Sequence, residues 1–139
     1  MKNIRARSFV VIMIVIALSA LALRVLAGEA IRVTSAQNEL SAQSTLKLIS
    51  TAFENYAKDN QGAYPAKISV LLKSEPPYLD KDYLSQSPIK GYNYNCSRLD
   101  AAGYSCHAIP TRCKLTGKLE FSVTTGSLLI TEDCDTQEW

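Results

Sequence analysis

The chain has 139 residues, 47% of them hydrophobic, and 15 Lys+Arg against 13 Asp+Glu leave a formal net charge of +2. That length holds one compact domain plus an anchor rather than two independent cores. A charge so small and so scattered excludes the dense basic footprint that a nucleic-acid partner needs.

Residues 1–8 form a basic leader with Lys2, Arg5 and Arg7. Residues 9–23 then read FVVIMIVIALSALAL without a charge, residues 25–28 extend the run past the single interruption of Arg24, and the first acidic residue is Glu29. Twenty helical residues at about 1.5 Å each match the roughly 30 Å of bilayer hydrocarbon, so 9–28 is predicted to span a membrane as a helix. Arg24, near the far end, can snorkel to the headgroups. The positive-inside bias of Lys2, Arg5 and Arg7 keeps the leader cytoplasmic and places everything after Gly28 on the other side. A cleavable signal peptide also fits the pattern, with small-x-small sites at Ala20-Leu21-Ala22 and Val25-Leu26-Ala27.

Residues 31–59 contain no proline and no glycine. Ala42, Leu46, Ile49, Phe53 and Tyr56 recur at steps of three and four and share one helical face, while Gln43, Lys47, Ser50, Glu54 and Lys58 occupy another. An amphipathic helix is expected over 29–61, ending at Asn60-Gln61-Gly62 with Pro65 beyond it. If it continues the anchor, Gly28 is the weak point between them. A short helix is expected within 66–73, and Pro76-Pro77 forbids more. Residues 80–91 read as a loop.

After Gly91 the period changes to two. Tyr92, Tyr94 and Cys96 alternate with Asn93 and Asn95; beyond a loop holding Asp100 and Gly103, Tyr104, Cys106 and Ala108 alternate with Ser105 and His107. A second hairpin follows, with Leu119, Phe121 and Val123 on one strand, a turn at Thr124-Thr125-Gly126-Ser127 and a return strand over 128–131. The expected class is α+β: a long N-terminal helix, half transmembrane and half amphipathic, packed on an antiparallel sheet of about four strands. The disulfide-bearing region would cover 62–139.

Cys96, Cys106, Cys113 and Cys134 all follow the apolar segment. An even count confined to an exported region reads as two disulfides. Of three connectivities, Cys96–Cys106 with Cys113–Cys134 is favoured, because Cys96 and Cys106 follow the tyrosines on the same face of a hairpin, where opposed residues lie within disulfide reach. The roughly 80 residues outside the helix form a core that rarely supplies more than about 3–5 kcal/mol, and each bridge adds about 2–4 kcal/mol. A zinc site of four cysteines, or of three plus His107, lacks any C-x-x-C pair.

His107, the single histidine, falls on the polar face of a strand and reads as a surface residue rather than a catalytic base. With the thiols paired and no phosphate loop, dinucleotide fingerprint or zinc-protease helix present, a non-enzymatic chain without a cofactor is expected. Glu132-Asp133-Cys134-Asp135 could offer oxygens to calcium, but reads first as a solvated end. Asn95-Cys96-Ser97 matches a glycosylation sequon only formally.

The chain resembles the type IV pilins and type II secretion pseudopilins. The likeness rests on the basic leader and apolar helix running into Asn38-Glu39-Leu40-Ser41-Ala42-Gln43-Ser44-Thr45-Leu46-Lys47, on Tyr56-Ala57-Lys58-Asp59-Asn60-Gln61-Gly62-Ala63-Tyr64-Pro65, on Gly91-Tyr92-Asn93-Tyr94 and on Phe121-Ser122-Val123-Thr124-Thr125-Gly126. It implies a filament subunit, processed and N-methylated at a junction between Ser8 and Phe9, whose partners are the membrane and like subunits met through helix packing. It also implies an inner-membrane protein with one span and a periplasmic or extracellular C-terminal domain. Two positions depart from the family: Ser8 stands where it has glycine, and Met13 stands at the fifth mature position, where it has an acid.

Overall fold

The computed structural model describes residues 2–135, with side chains described for 8–135. Lys2, Arg5 and Arg7 belong to its first helix, but their side chains lie outside the described ones. The elements are α1 (Lys2–Asp59), α2 (Ile68–Lys73), β1 (Tyr92–Asp100), β2 (Gly103–Pro110), β3 (Leu119–Thr124) and β4 (Leu128–Asp133). The strands form one antiparallel sheet in the order β1-β2-β3-β4. This is the expected class, a long N-terminal helix against a four-stranded antiparallel sheet. The chain divides into two units, Met1–Val33 and Thr34–Trp139.

Helix α1 runs through Gly28 rather than breaking there. Glycine weakens a helix by lost backbone entropy, but it keeps its N–H, so the ladder survives where proline would cut it. The helix stops where the backbone turns left-handed at Gln61 (φ 57°) and Gly62 (φ 86°). The Gly62 N–H donates to Ala57 O at 2.7 Å and the Asn60 side-chain amide to Tyr56 O at 2.8 Å, which satisfies carbonyls of the last turn.

Within the second unit the expected apolar face becomes the core. Ala42, Leu46, Ile49 and Phe53 are fully buried, and they pack with Tyr92 and Tyr94 of β1, Tyr104, Cys106 and Ala108 of β2, and Phe121 and Val123 of β3. Phe53 stacks on Tyr104 with ring centroids 4.7 Å apart, and Tyr64 meets the same tyrosine edge-on at 5.4 Å. Ile68 and Leu71 of α2 close the core from another side.

The first hairpin is longer than the alternation alone predicts. Asp100 and Gly103, expected in a loop, are register partners at the end of β1 and β2. The Asp100 carboxylate accepts the Ala102 N–H at 2.8 Å and pairs with Arg98, which tightens the turn to two residues. A bulge between Cys96 and Arg98 absorbs the extra residue.

Candidate functional site

The first unit is a bare apolar helix. Thirteen large apolar side chains from Phe9 to Leu26 are each 52 to 67% exposed, a surface no water-soluble fold leaves open without a partner. Among the described residues, Ser8–Asp59 is the helix long and apolar enough to cross a membrane. Ser19, the hydroxyl within this stretch, donates to Ile16 O at 2.9 Å, so its polar group is satisfied by its own helix. Ser8 and Phe9 sit within α1, and Phe9 is exposed.

The helix of the second unit is tied to the sheet by a carboxylate that periodicity placed on a polar face. Glu54 accepts three hydrogen bonds, from Tyr64 Oη at 2.9 Å, Tyr104 Oη at 2.8 Å and the Gly126 N–H at 2.7 Å. Because Tyr104 has one proton and gives it to Glu54, Ser50 Oγ must donate to Tyr104 (2.9 Å) and in turn accept from Ser127 Oγ (2.6 Å). Ser50, expected on the polar face, is therefore a buried link in a chain running from the β3–β4 turn to the helix. Gly126 serves that turn with φ 83°, where a side chain is strained. Burial, helped by the bond to Glu54, pushes the Tyr64 phenol up to about 12. Burial also raises Tyr92, Tyr94 and Tyr104.

The cysteines pair Cys96–Cys106 and Cys113–Cys134, with Cα separations of 3.9 Å and 5.8 Å. Cys96 and Cys106 are direct register partners. The second bridge closes a loop that α1 also holds: Asn38 donates to Thr116 O at 2.9 Å, and Glu39 accepts the Lys118 N–H at 2.7 Å. Gly117 in this loop lies against the Tyr92 ring, and a Cβ there would overlap the Tyr92 hydroxyl. That hydroxyl donates to Leu119 O at 2.7 Å.

Two expectations about polar groups take definite form. His107 is half-buried on the face of β2 turned from the core, its Nε2 3.0 Å from Ser97 Oγ and 3.3 Å from Ser105 Oγ. The run Glu132-Asp133-Cys134-Asp135 does not gather its carboxylates for calcium. Glu132 and Asp133 alternate onto opposite faces of β4, and Asp135 forms an ion pair with Lys114. Among the described residues, the trio of possible metal donors that already lies together is Cys113, Cys134 and Asp135, and both sulfurs there are committed to the disulfide. A shallow cleft of about 420 Å³ lies between Ala36, Leu40 and Gln43 of the helix and Leu119, Phe121 and Thr131 of the sheet.

No family model, curated protein or solved structure matches the chain. The architecture is consistent with a pilin-like fold on its geometry alone. Sequence periodicity missed Ser50, Glu54, Asn38 and Glu39 as tethers, since a polar residue one position off the apolar stripe looks the same whether it meets water or a buried tyrosine.

Proposed function

We propose that the chain is a non-enzymatic structural subunit, major or minor, of a type IV pilus-like or type II secretion pseudopilus-like filament, held in the inner membrane by residues 9–28 and assembled by packing of N-terminal helices. The observation that carries this reading is the helical surface of thirteen exposed apolar side chains, interrupted by Arg24 alone, at the head of the same helix whose later turns contribute to the core of a disulfide-braced sheet domain. Lipid satisfies such a surface before assembly, and the apolar stems of neighbouring subunits satisfy it afterwards. The two disulfides suit an oxidising compartment beyond the membrane.

One observation favours a second reading, a non-polymerising membrane-anchored or exported binding domain. Met13 stands where the pilin family carries an acid, and in the family that carboxylate neutralises the terminal amine of a neighbouring subunit, a charge costly to leave alone in lipid. Mass spectrometry of the mature N-terminus, with electron microscopy of sheared surface material, separates the two. An N-methylated Phe9 and filaments containing the chain support the subunit. A start near Gly28, or an intact Met1 without filaments, overturns it in favour of the second reading.

A further inference from the structure

The connection between β2 and β3, residues 111–118, holds three cations, Arg112, Lys114 and Lys118, and no acid. Leu115 in its turn is 51% exposed. A lone surface leucine means little, but this one is held out among cations by a loop with no slack. The Leu115 and Thr116 N–H groups donate to Arg112 O at 3.1 and 3.0 Å, the Lys114 N–H donates to Gly117 O at 2.7 Å, and the Cys113–Cys134 bridge ties the loop down. Lys90 joins the group, because the Gly91 carbonyl beside it accepts the Thr111 N–H at 2.9 Å. The acids at this end are already engaged: Asp135 pairs with Lys114, Asp133 acts on the same lysine, and Glu39 takes the Lys118 backbone N–H. Lys90, Arg112 and Lys118 are exposed, and among the described residues no ion pair reaches them.

Along α1 this loop sits at the early end of the sheet domain. Asn38 and Glu39 hold it, and Ser35, one turn earlier on the same face, is buried to 3%. Ser35 follows Gly28 by seven residues, about 10 Å of helix. The headgroup layer beyond the hydrocarbon takes about 5–7 Å of that, and the remainder is less than the Debye length of about 8 Å at physiological salt. The β3–β4 turn, by contrast, is bonded to Glu54, roughly 24 Å further along the helix than Asn38. We propose that the 111–118 loop, with Lys90, seats on the anionic headgroups of the leaflet from which α1 emerges, Leu115 entering the acyl boundary and Arg112 and Lys118 reaching lipid phosphates. This rests on the reading of residues 9–28 as a membrane span. Basic side chains around an apolar one are the composition that interfacial segments use, the stems lying along the boundary and the charged heads in the headgroup layer. Seated in this way, the loop gives the sheet domain a second point of attachment beside its single stem, whether or not the chain polymerises.

The test is tryptophan fluorescence of the full chain in lipid nanodiscs, with the single native tryptophan removed by Trp139→Phe and one reporter added at a time. Acyl chains carrying bromine quench a reporter that enters the bilayer, and the discs are made of phosphatidylglycerol or of phosphatidylcholine. Leu115→Trp is expected to be blue-shifted and quenched in the anionic discs, and much less so in the neutral ones or at high salt. Leu128→Trp, the same change at an exposed leucine beside the β3–β4 turn, should stay unquenched in both. Arg112→Gln and Lys118→Gln, at exposed positions, should each lower the ratio of seated to unseated loop about fivefold, while Lys58→Gln at the other end of the domain leaves it unchanged. Leu18→Trp reports the span and should be quenched in both lipids. Quenching at Leu18→Trp without quenching at Leu115→Trp overturns this proposal alone; loss of both overturns the membrane-span reading with it. Equal quenching of Leu115→Trp in the two lipids, or a blue shift without bromine quenching, which marks a protein contact, also overturns the proposal.

Discussion

Glu54 is the residue on which the helix and the β3–β4 turn both depend. Its carboxylate takes protons from Tyr64, Tyr104 and the Gly126 backbone. Hydrogen bonds to a charged group are worth about 1.5–3 kcal/mol each, and donors left unpaired near a core add their own cost. Glu54→Ala is expected to destabilise the sheet domain by about 2–4 kcal/mol in chemical denaturation, and Glu54→Gln, which keeps an acceptor, by less. The tyrosines around it set the alkaline limit. Their phenols are raised by burial in the fold, Tyr64 to about 12, against an unfolded value near 10. The folded state therefore holds its phenolic protons more tightly than the unfolded one. That contribution to stability is fully present below about pH 10 and is lost as pH rises through the folded values. Urea midpoints measured from pH 8 upward should stay level to about 9.5 and then fall, and tyrosinate absorbance should titrate late in the native protein.

Among the elements, the two disulfides do different work. Cys96–Cys106 joins direct partners in a hairpin that the β1–β2 ladder already closes, across 10 residues of chain. Cys113–Cys134 spans 21 and ties the loop held by Asn38 and Glu39 to the segment after β4. Chain entropy alone makes the longer closure worth about 0.7 kcal/mol more than the shorter. Replacing Cys113 and Cys134 by serine should accordingly lower the melting temperature further than replacing Cys96 and Cys106, as read by calorimetry on the paired variants. The same elements show how far local pattern reaches. Alternation located all four strands and put Cys96 opposite Cys106, because period two is a local property of the chain. It stopped short of the Asp100–Gly103 turn, where a side chain bonding its own backbone extends a ladder through residues that read as loop.

For the whole molecule, the decisive property is that an uncovered apolar helix and a compact sheet domain occur in one chain. Under the proposed anchoring, membrane retention depends on the middle of residues 9–28. Leu18→Arg, which puts a charge near the centre of the span, should cost about 2.5–3.5 kcal/mol on the insertion scale and shift the protein from the membrane to the soluble fraction in alkaline extraction. The same change should leave the disulfide pattern intact in any exported product, since the cysteines lie in the other unit.

The amino-acid sequence by itself determined the apolar segment, the amphipathic face of Ala42, Leu46, Ile49 and Phe53 and the strands, because each follows from spacing along the chain, and it favoured one of three cysteine pairings, which the fold decides. Tertiary structure alone decided which polar side chains face water and which bond across the fold: Ser50 and Glu54 with Tyr104, and Asn38 and Glu39 with the Cys113–Cys134 loop. Burial of a polar group depends on what another segment brings to it across the fold, and no local periodicity carries that information.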